Sequence, residues 1–156
     1  MSDTGWDLPD PWISRRVVAA AELDAYQHVN NAVYLTWLDH IAWEHAGVLG
    51  APLSRCLALD RGMAVLRTVL SYQRPALRGD AVEIGTWIVA TDARLRVTRR
   101  FQVRRASDET TLLRAEIGYV CIQLSTGRPQ RMPEEFRSAF VAPPDFAAAA
   151  ASLQPL

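Results

Sequence analysis

The sequence predicts an α+β fold in which one long helix packs against a single antiparallel sheet. Three observations carry this. An aromatic-rich stripe at helical spacing occupies residues 33–45, four later runs have strand character, and the links within that later part are short and rich in turn residues. The 156 residues, 49% of them apolar, suit one domain whose core needs neither a disulfide nor a structural metal to fold.

Taken in order, residues 1–11 hold prolines and aspartates and are expected to be a loosely ordered N-terminal segment. The folded domain is expected over 12–141. It starts with a short strand near Ile13 to Ala20 and a loop from Glu22 to Asn30. The helix follows, with Val33, Tyr34, Trp37, Leu38, Ile41 and His45 on one face at spacings of three and four, and Gly47 as its stop. So wide an aromatic stripe predicts a largely buried helix. After a Pro-containing connection come strands over Met63 to Tyr72, Ala81 to Ala90, Leu95 to Arg105 and Leu112 to Leu124. The turn-like segments Gln73 to Asp80, Thr91 to Arg94 and Ala106 to Thr111 separate them, and links this short predict antiparallel neighbours. Residues 142–156 form a Pro/Ala-rich C-terminal tail with five consecutive alanines, also expected to be loosely held. One helix covers one sheet face only. The other face or an edge is left to solvent or to another subunit, so a homodimer or homotetramer is expected.

Composition removes several classes of function. No apolar run reaches the roughly 18–20 residues that span a bilayer, and the start is acidic where a signal peptide is basic, so a cytoplasmic protein with no membrane partner is expected. Cys56 and Cys121 form no C-x-x-C pair and read as separate thiols. The signatures G-x-S-x-G, G-x-G-x-x-G, H-E-x-x-H and the P-loop are absent from the sequence. His28, His40 and His45 share no metal-ligand spacing, and neither a metal nor a cofactor is expected.

Formal net charge is zero, yet it is unevenly spread. Residues 1–60 carry three arginines and eight acids, residues 61–131 thirteen arginines and six acids, and residues 132–156 one arginine and three acids. Every basic residue is arginine, which suits bidentate binding of phosphate or carboxylate. The strand from Leu95 alternates, with Leu95, Val97, Phe101 and Val103 to one side and Arg96, Thr98, Arg100, Gln102 and Arg104 to the other. Arg99 falls on the apolar side, where an edge position or a buried acidic partner would explain it structurally. RNA binding is the competing reading of this strand. Cross-strand ion pairs on a solvated face account for it better, because only Phe101 interleaves the arginines, and no nucleic-acid partner is expected.

The segment Asp24-Ala25-Tyr26-Gln27-His28-Val29-Asn30-Asn31 runs directly into the aromatic helix. It gathers a carboxylate, an imidazole and two amides on the loop that delivers free backbone N–H groups. Two readings stand on these residues. Asn30 or Asn31 caps the helix and Asp24 ends a strand, with His28 a bonded loop residue. Or the helix terminus polarises a carbonyl while Asp24 attacks it or deprotonates a water, which is acyl-transfer chemistry.

The string from Asp24 to Asp39, D-x-x-x-HVNN-x-x-Y-L-x-W-L-D, resembles the motif of the hotdog-fold acyl-CoA thioesterases of the 4-hydroxybenzoyl-CoA thioesterase-like family. Ser71-Tyr72-Gln73-Arg74-Pro75 with Arg78-Gly79-Asp80 resembles that family's second block, and Thr126-Gly127-Arg128-Pro129 with Met132-Pro133-Glu134-Glu135 its closing block. The resemblance spans roughly residues 13–138. It implies a long central helix wrapped by a curled five-stranded antiparallel sheet, and hydrolysis of an acyl-CoA to a free acid and coenzyme A. It further implies that Asp24 is the catalytic carboxylate, as nucleophile or general base. Asn31 would offer its backbone N–H to the thioester oxygen, and His28 and Asn30 would shape the loop or hold the water. Tyr34 would pack against the acyl or pantetheine part or serve the core. The site would lie between subunits, completed by residues around Met63 to Leu66 and Tyr72. Arg99, Arg128 and Arg131 would contact the coenzyme A phosphates.

Three positions depart from the pattern: Gln27 replaces a Gly, Ala42 an Arg and His40 a Glu. Some members carry a catalytic Glu on the central helix, for which Asp39 and Glu44 are the positions here. An acyl-carrier-protein thioesterase, with the carrier docked on the Arg-rich middle region, and a non-catalytic acyl-binding protein are the alternatives.

Overall fold

The structure is a computed structural model, and residues 4–152 are described. The elements in chain order are strand β1 (Trp12–Val17), a 3₁₀ turn (Ala20–Glu22), helix α1 (Asn31–Leu49), helix α2 (Leu53–Leu59), strands β2 (Arg61–Tyr72), β3 (Ala81–Thr91), β4 (Arg96–Arg105) and β5 (Thr111–Gln123), then helices α3 (Glu134–Ala139) and α4 (Phe146–Ser152). The five strands form one antiparallel sheet in the order β1-β3-β4-β5-β2. The α+β plan is therefore the one the periodicity predicts.

Helix α1 starts where Asn30 caps it, the side-chain oxygen accepting the Ala32 N–H at 2.9 Å. Tyr34, Trp37, Leu38, Ile41 and Ala42 enter the main core against Val82, Ile84, Phe101 and Val103 of the sheet. The expected stop at Gly47 moves to Gly50, which takes the left-handed conformation at φ 108° and donates its N–H to Ala46 and Gly47 carbonyls. Gly47 needs no positive φ, so the helix runs through it. Nor is the helix buried all round, for Leu35 and Trp43 are exposed on its outer face.

Strands β3, β4 and β5 are sequence neighbours that pair, as short links predict, but β2 pairs with β5 and not with β3. The Gln73 to Asp80 link crosses the start of α1 instead. There Ala76 donates its N–H to the Tyr34 hydroxyl at 3.0 Å, and its carbonyl accepts the Val29 N–H at 3.0 Å. Strands β1 and β2 are left as the sheet edges.

The far sheet face is covered by parts of both ends of the chain. Trp6 and Leu8, in the segment expected to be loose, are buried with Trp87 and Val89, and Phe146, Ala149 and Ala150 of α4 join the same cluster. Asp7 accepts two hydrogen bonds of 2.6 and 2.8 Å from Arg114 and donates its backbone N–H to Gln102 Oε1 at 2.8 Å. The parts of both ends that pack here are held by aromatic burial, which a count of prolines and alanines does not register. The arginine face of β4 is consequently covered at its Gln102–Arg104 end, while Arg96 at the other end stays exposed. Gln102 and Arg104 are buried beneath this cover, with Arg104 paired to Glu83 at 2.7 Å and stacked 4.0 Å from the Trp6 ring.

Candidate active site

The Asp24 loop is a closed turn built from its own backbone. Asp24 donates its N–H to the His28 carbonyl at 2.7 Å, and its Oδ1 accepts the N–H groups of Tyr26 at 2.8 Å and His28 at 3.2 Å. This curvature requires Gln27 to sit at φ 61°, so the glutamine adopts the backbone conformation that the glycine it replaces tolerates most easily. Asp24 Oδ2 accepts no hydrogen bond from the described residues.

Glu22 fixes the loop to α1. It accepts the Trp37 indole N–H at 3.0 Å, the Arg16 guanidinium at 2.6 Å and the Ala19 N–H at 2.9 Å, while its carbonyl takes the Asn30 N–H at 2.9 Å. Burial alone would raise its carboxyl pKa, but the Ala19, Trp37 and Arg16 donors together hold it below the usual value. The bonded Glu22–Asn30 pair closes the loop, and Leu23 bridges Val29 inside it, so Asp24 lies beside the beginning of α1.

At that beginning the Ala32 and Val33 N–H groups are consumed by the Asn30 cap, the second through the Asn30 carbonyl at 2.9 Å. The Asn31 N–H has no acceptor among the described residues and points along the positive end of the helix dipole. Asn30 is thus a capping residue, whereas Asn31 presents a free donor. His28 is exposed at the same loop, its backbone bridging Leu77.

The other sequence-derived residues divide. Tyr72, on the outer edge strand, donates its hydroxyl to the Asn31 carbonyl at 2.8 Å and meets Tyr34 edge-on at 5.6 Å. Tyr34 itself is 2% exposed, so its ring serves the core and buttresses the Gln73–Asp80 link, with no free face for a ligand. Met63 lines a cleft of about 720 Å³, its open mouth included, between the C-terminal half of α1, β2 and α3. Ala42, Trp43, Val65, Phe136 and Phe140 belong to its apolar wall. Arg128 and Arg131 are exposed on the closing segment after β5.

Arg99 is the buried member of this group, lining the cleft from β4 at 3% exposure, whereas contact with coenzyme A phosphates calls for a solvent-facing cation. The buried acid that would explain it is also missing, since no carboxylate among the described residues pairs with it. Its Nη1 lies 2.8 Å from His45 Nδ1. A guanidinium only donates, so that nitrogen accepts and the imidazole is neutral, with its proton on Nε2. Burial and the Arg99 charge push the His45 pKa down to about 4. Sequence reasoning placed His45 on the buried stripe but gave it no partner. Asp39 and Tyr119 also line the cleft, and Phe136 reaches it from α3 and Phe140 from the residue that follows, α3 being a short helix whose period is too brief to recognise in sequence. Glu44 instead pairs with His40 at 3.2 Å on the exposed face.

Comparison with known proteins bears on this geometry. The long-chain acyl-CoA thioesterase FadM of Escherichia coli (strain K12) is 26% identical over 121 residues, covering 77% of this chain and 89% of that protein. A 1,4-dihydroxy-2-naphthoyl-CoA thioesterase from Synechocystis superposes with a TM-score of 0.75 at 19% identity, covering 84% of this chain and 96% of the other. A Staphylococcus aureus protein determined in complex with CoA superposes with a TM-score of 0.78 at 18% identity, covering 83% and 81%. These superpositions establish the fold, the hotdog arrangement that the three sequence blocks imply. The family model described as the thioesterase-like superfamily matches residues 18–140, and the chain belongs to that superfamily.

Proposed function

We propose that this protein hydrolyses an acyl-CoA thioester to a free carboxylic acid and coenzyme A. The observation that carries the reading is the pairing of a loop carboxylate with an unused helix N-terminal donor. Asp24 has one oxygen committed to the loop and one free, and the Asn31 N–H beside it is unbonded. A thioester carbonyl oxygen placed on that N–H is polarised as negative charge develops on it. The free Asp24 oxygen then attacks the carbonyl carbon or takes a proton from a water that does. Coenzyme A leaves as a thiolate, and a water supplies the oxygen of the product acid. His28 stands at the open side of the loop, where it orders that water.

A homodimer completes the site. Asn31 and Trp43 are twelve residues apart on α1, about 18 Å of helix, so the loop and the cleft of one chain lie far from each other. The free edge of β2 exposes Val65, Leu66 and Tyr72. Antiparallel pairing of that edge with its own copy sets the Tyr72 end of one strand beside the Met63 end of the other. Tyr72 is bonded to the first residue of α1, so this arrangement carries one Asp24 loop to the other copy's cleft. Arg128 and Arg131 follow β5, whose Gln123 pairs with Arg61, and they reach the same end to meet the phosphates. Release of free thiol from a panel of short, long and aromatic acyl-CoA esters tests the activity, and sedimentation tests the assembly. Absence of thiol release across the panel sinks the reading, and an active monomer contradicts the shared site.

A further inference from the structure

The cleft beside α1 holds a cation that the proposed chemistry does not use. Arg99 is 97% buried by its 3% exposure, and His45, its hydrogen-bonded neighbour, carries no charge. The imidazole is itself fixed, stacked on Trp12 with ring centroids 5.5 Å apart and planes 7° from parallel. Phe140 lies over the guanidinium at 6.0 Å from the ring centroid. The remaining Arg99 N–H groups find no acceptor among the described residues, nor does the hydroxyl of Tyr119 on the same wall. Burial lowers the Arg99 pKa to about 10, which leaves it cationic at neutral pH. A buried charge without a counter-ion is costly, and no carboxylate among the described residues pairs with this one. The other charged lining group, Asp39, is exposed on α1 and forms no ion pair with Arg99.

Resting on the thioesterase reading, we propose that the cleft receives the far end of an acyl group bearing a terminal carboxylate, and that Arg99 with Tyr119 binds that carboxylate. Apolar walls of Ala42, Val65 and Phe136 accept the methylene or aryl body, and the guanidinium supplies the two parallel donors a carboxylate matches. His45 is a positioning residue: its neutral Nδ1 orients the guanidinium without cancelling its charge. A site built to pair an anion discriminates strongly against a substrate lacking it, because the donors are then left unpaired.

The test compares three acyl-CoA esters of equal chain length, ending in methyl, hydroxyl or carboxylate. Wild-type kcat/KM is expected to favour the carboxylate ester over the methyl ester by about tenfold or more, and R99M to invert that preference. R99K, which keeps the charge and loses the fork, retains the direction of the preference with a smaller ratio. Preference for the methyl or the hydroxyl ester in the wild type overturns the proposal, as does a ratio unmoved by R99M. If R99M does not fold, the wild-type ratio and R99K decide. Calorimetric binding of the same esters to D24N reads the cleft without turnover. Failure of every ester to release thiol, with carboxylate-selective binding retained, refutes the thioesterase reading and leaves the Arg99 site standing.

Discussion

Replacing Asp24 by asparagine separates the turn contact made by one carboxylate oxygen from the chemistry proposed for the other. Oδ1 holds the turn by accepting the Tyr26 and His28 N–H groups, and Oδ2 takes nothing from the described residues. An asparagine keeps an acceptor at the first position and removes the carboxylate. D24N should therefore fold almost as well as the wild type, within about 1 kcal/mol, a shift of roughly 2–4 °C in Tm for a chain of this size. Its kcat should fall by about 10²–10⁴, the range lost with a positioned base or nucleophile, or about 3–5 kcal/mol of barrier. D24A loses the turn acceptor as well. It should melt lower still, by about 1–2 kcal/mol, since two partly solvated bonds to a carboxylate are removed. Thiol release and thermal unfolding are measured on the same preparations. Wild-type turnover by D24N would reduce Asp24 to a loop cap, and a D24N that melts as low as D24A would make its loss of activity structural.

The remaining predictions follow from the groups around α1. His45 is neutral when folded, with its pKa lowered from 6.5 to about 4, so the unfolded chain binds the extra proton first as pH falls. Stability should drop by about 1.5 kcal/mol between pH 6.5 and pH 5, and H45Q, which keeps an acceptor for Arg99 but cannot titrate, should flatten that part of a denaturation-against-pH curve. Glu22 is held below its usual pKa, so its contribution is present above about pH 4.5 and lost as pH falls through the folded value. E22Q should cost about 2 kcal/mol in urea unfolding at pH 7 and lower turnover through the displaced Asp24 loop, with the wild-type excess shrinking toward pH 4. At Gly85 a Cβ would lie 2.7 Å from Trp6 Cζ3 and 3.1 Å from Pro11 Cβ. G85A should lift the N-terminal segment off the sheet at a cost of about 1–3 kcal/mol, seen as new proteolytic cleavage before β1 with the rest of the chain intact.

The parts of this fold legible in the sequence are those with a long, regular period. Helix α1 declares itself through six apolar-face residues and an asparagine cap, and β4 through an alternation in which the placement of Arg99 on the core side is correct. Helix α2 buries only Cys56, and α3 only Phe136 and Ala139, so neither has a periodic face to read. The pairing of β2 with β5 was hidden for another reason. An eight-residue link reads as a hairpin, and nothing local reveals that it must pass over α1 to bond Tyr34 and Val29. At the site the helix cap was legible from Asn30, whereas the closed Asp24 turn and the positive φ of Gln27 are set by backbone hydrogen bonds that no residue type announces. The partner of Arg99 was not legible either, because His45 lies 54 residues away and only three-dimensional packing joins them.

The same distinction decides what the arginine excess of residues 61–131 does. A docking face for an acidic carrier needs cations that are free, and charge counting treats every arginine as free. Arg100 is paired to Glu116, Arg104 to Glu83, Arg105 to Asp80 and Arg114 to Asp7, all within 3.1 Å. Asp7 belongs to the acidic first segment, so part of the imbalance between segments is cancelled across the fold and was never a surface field. Arg99 is buried, and its charge faces a cleft too apolar for a hydrated protein surface to enter. Seven arginines of the segment, Arg67, Arg74, Arg78, Arg94, Arg96, Arg128 and Arg131, stay exposed and form no ion pair among the described residues, so a real part of the excess does remain at the surface. Pairing across the fold therefore withdraws Arg100, Arg104, Arg105 and Arg114 from either carrier, and charge reversal at the seven exposed positions is what distinguishes the discrete phosphates of coenzyme A from the broad acidic face of a protein.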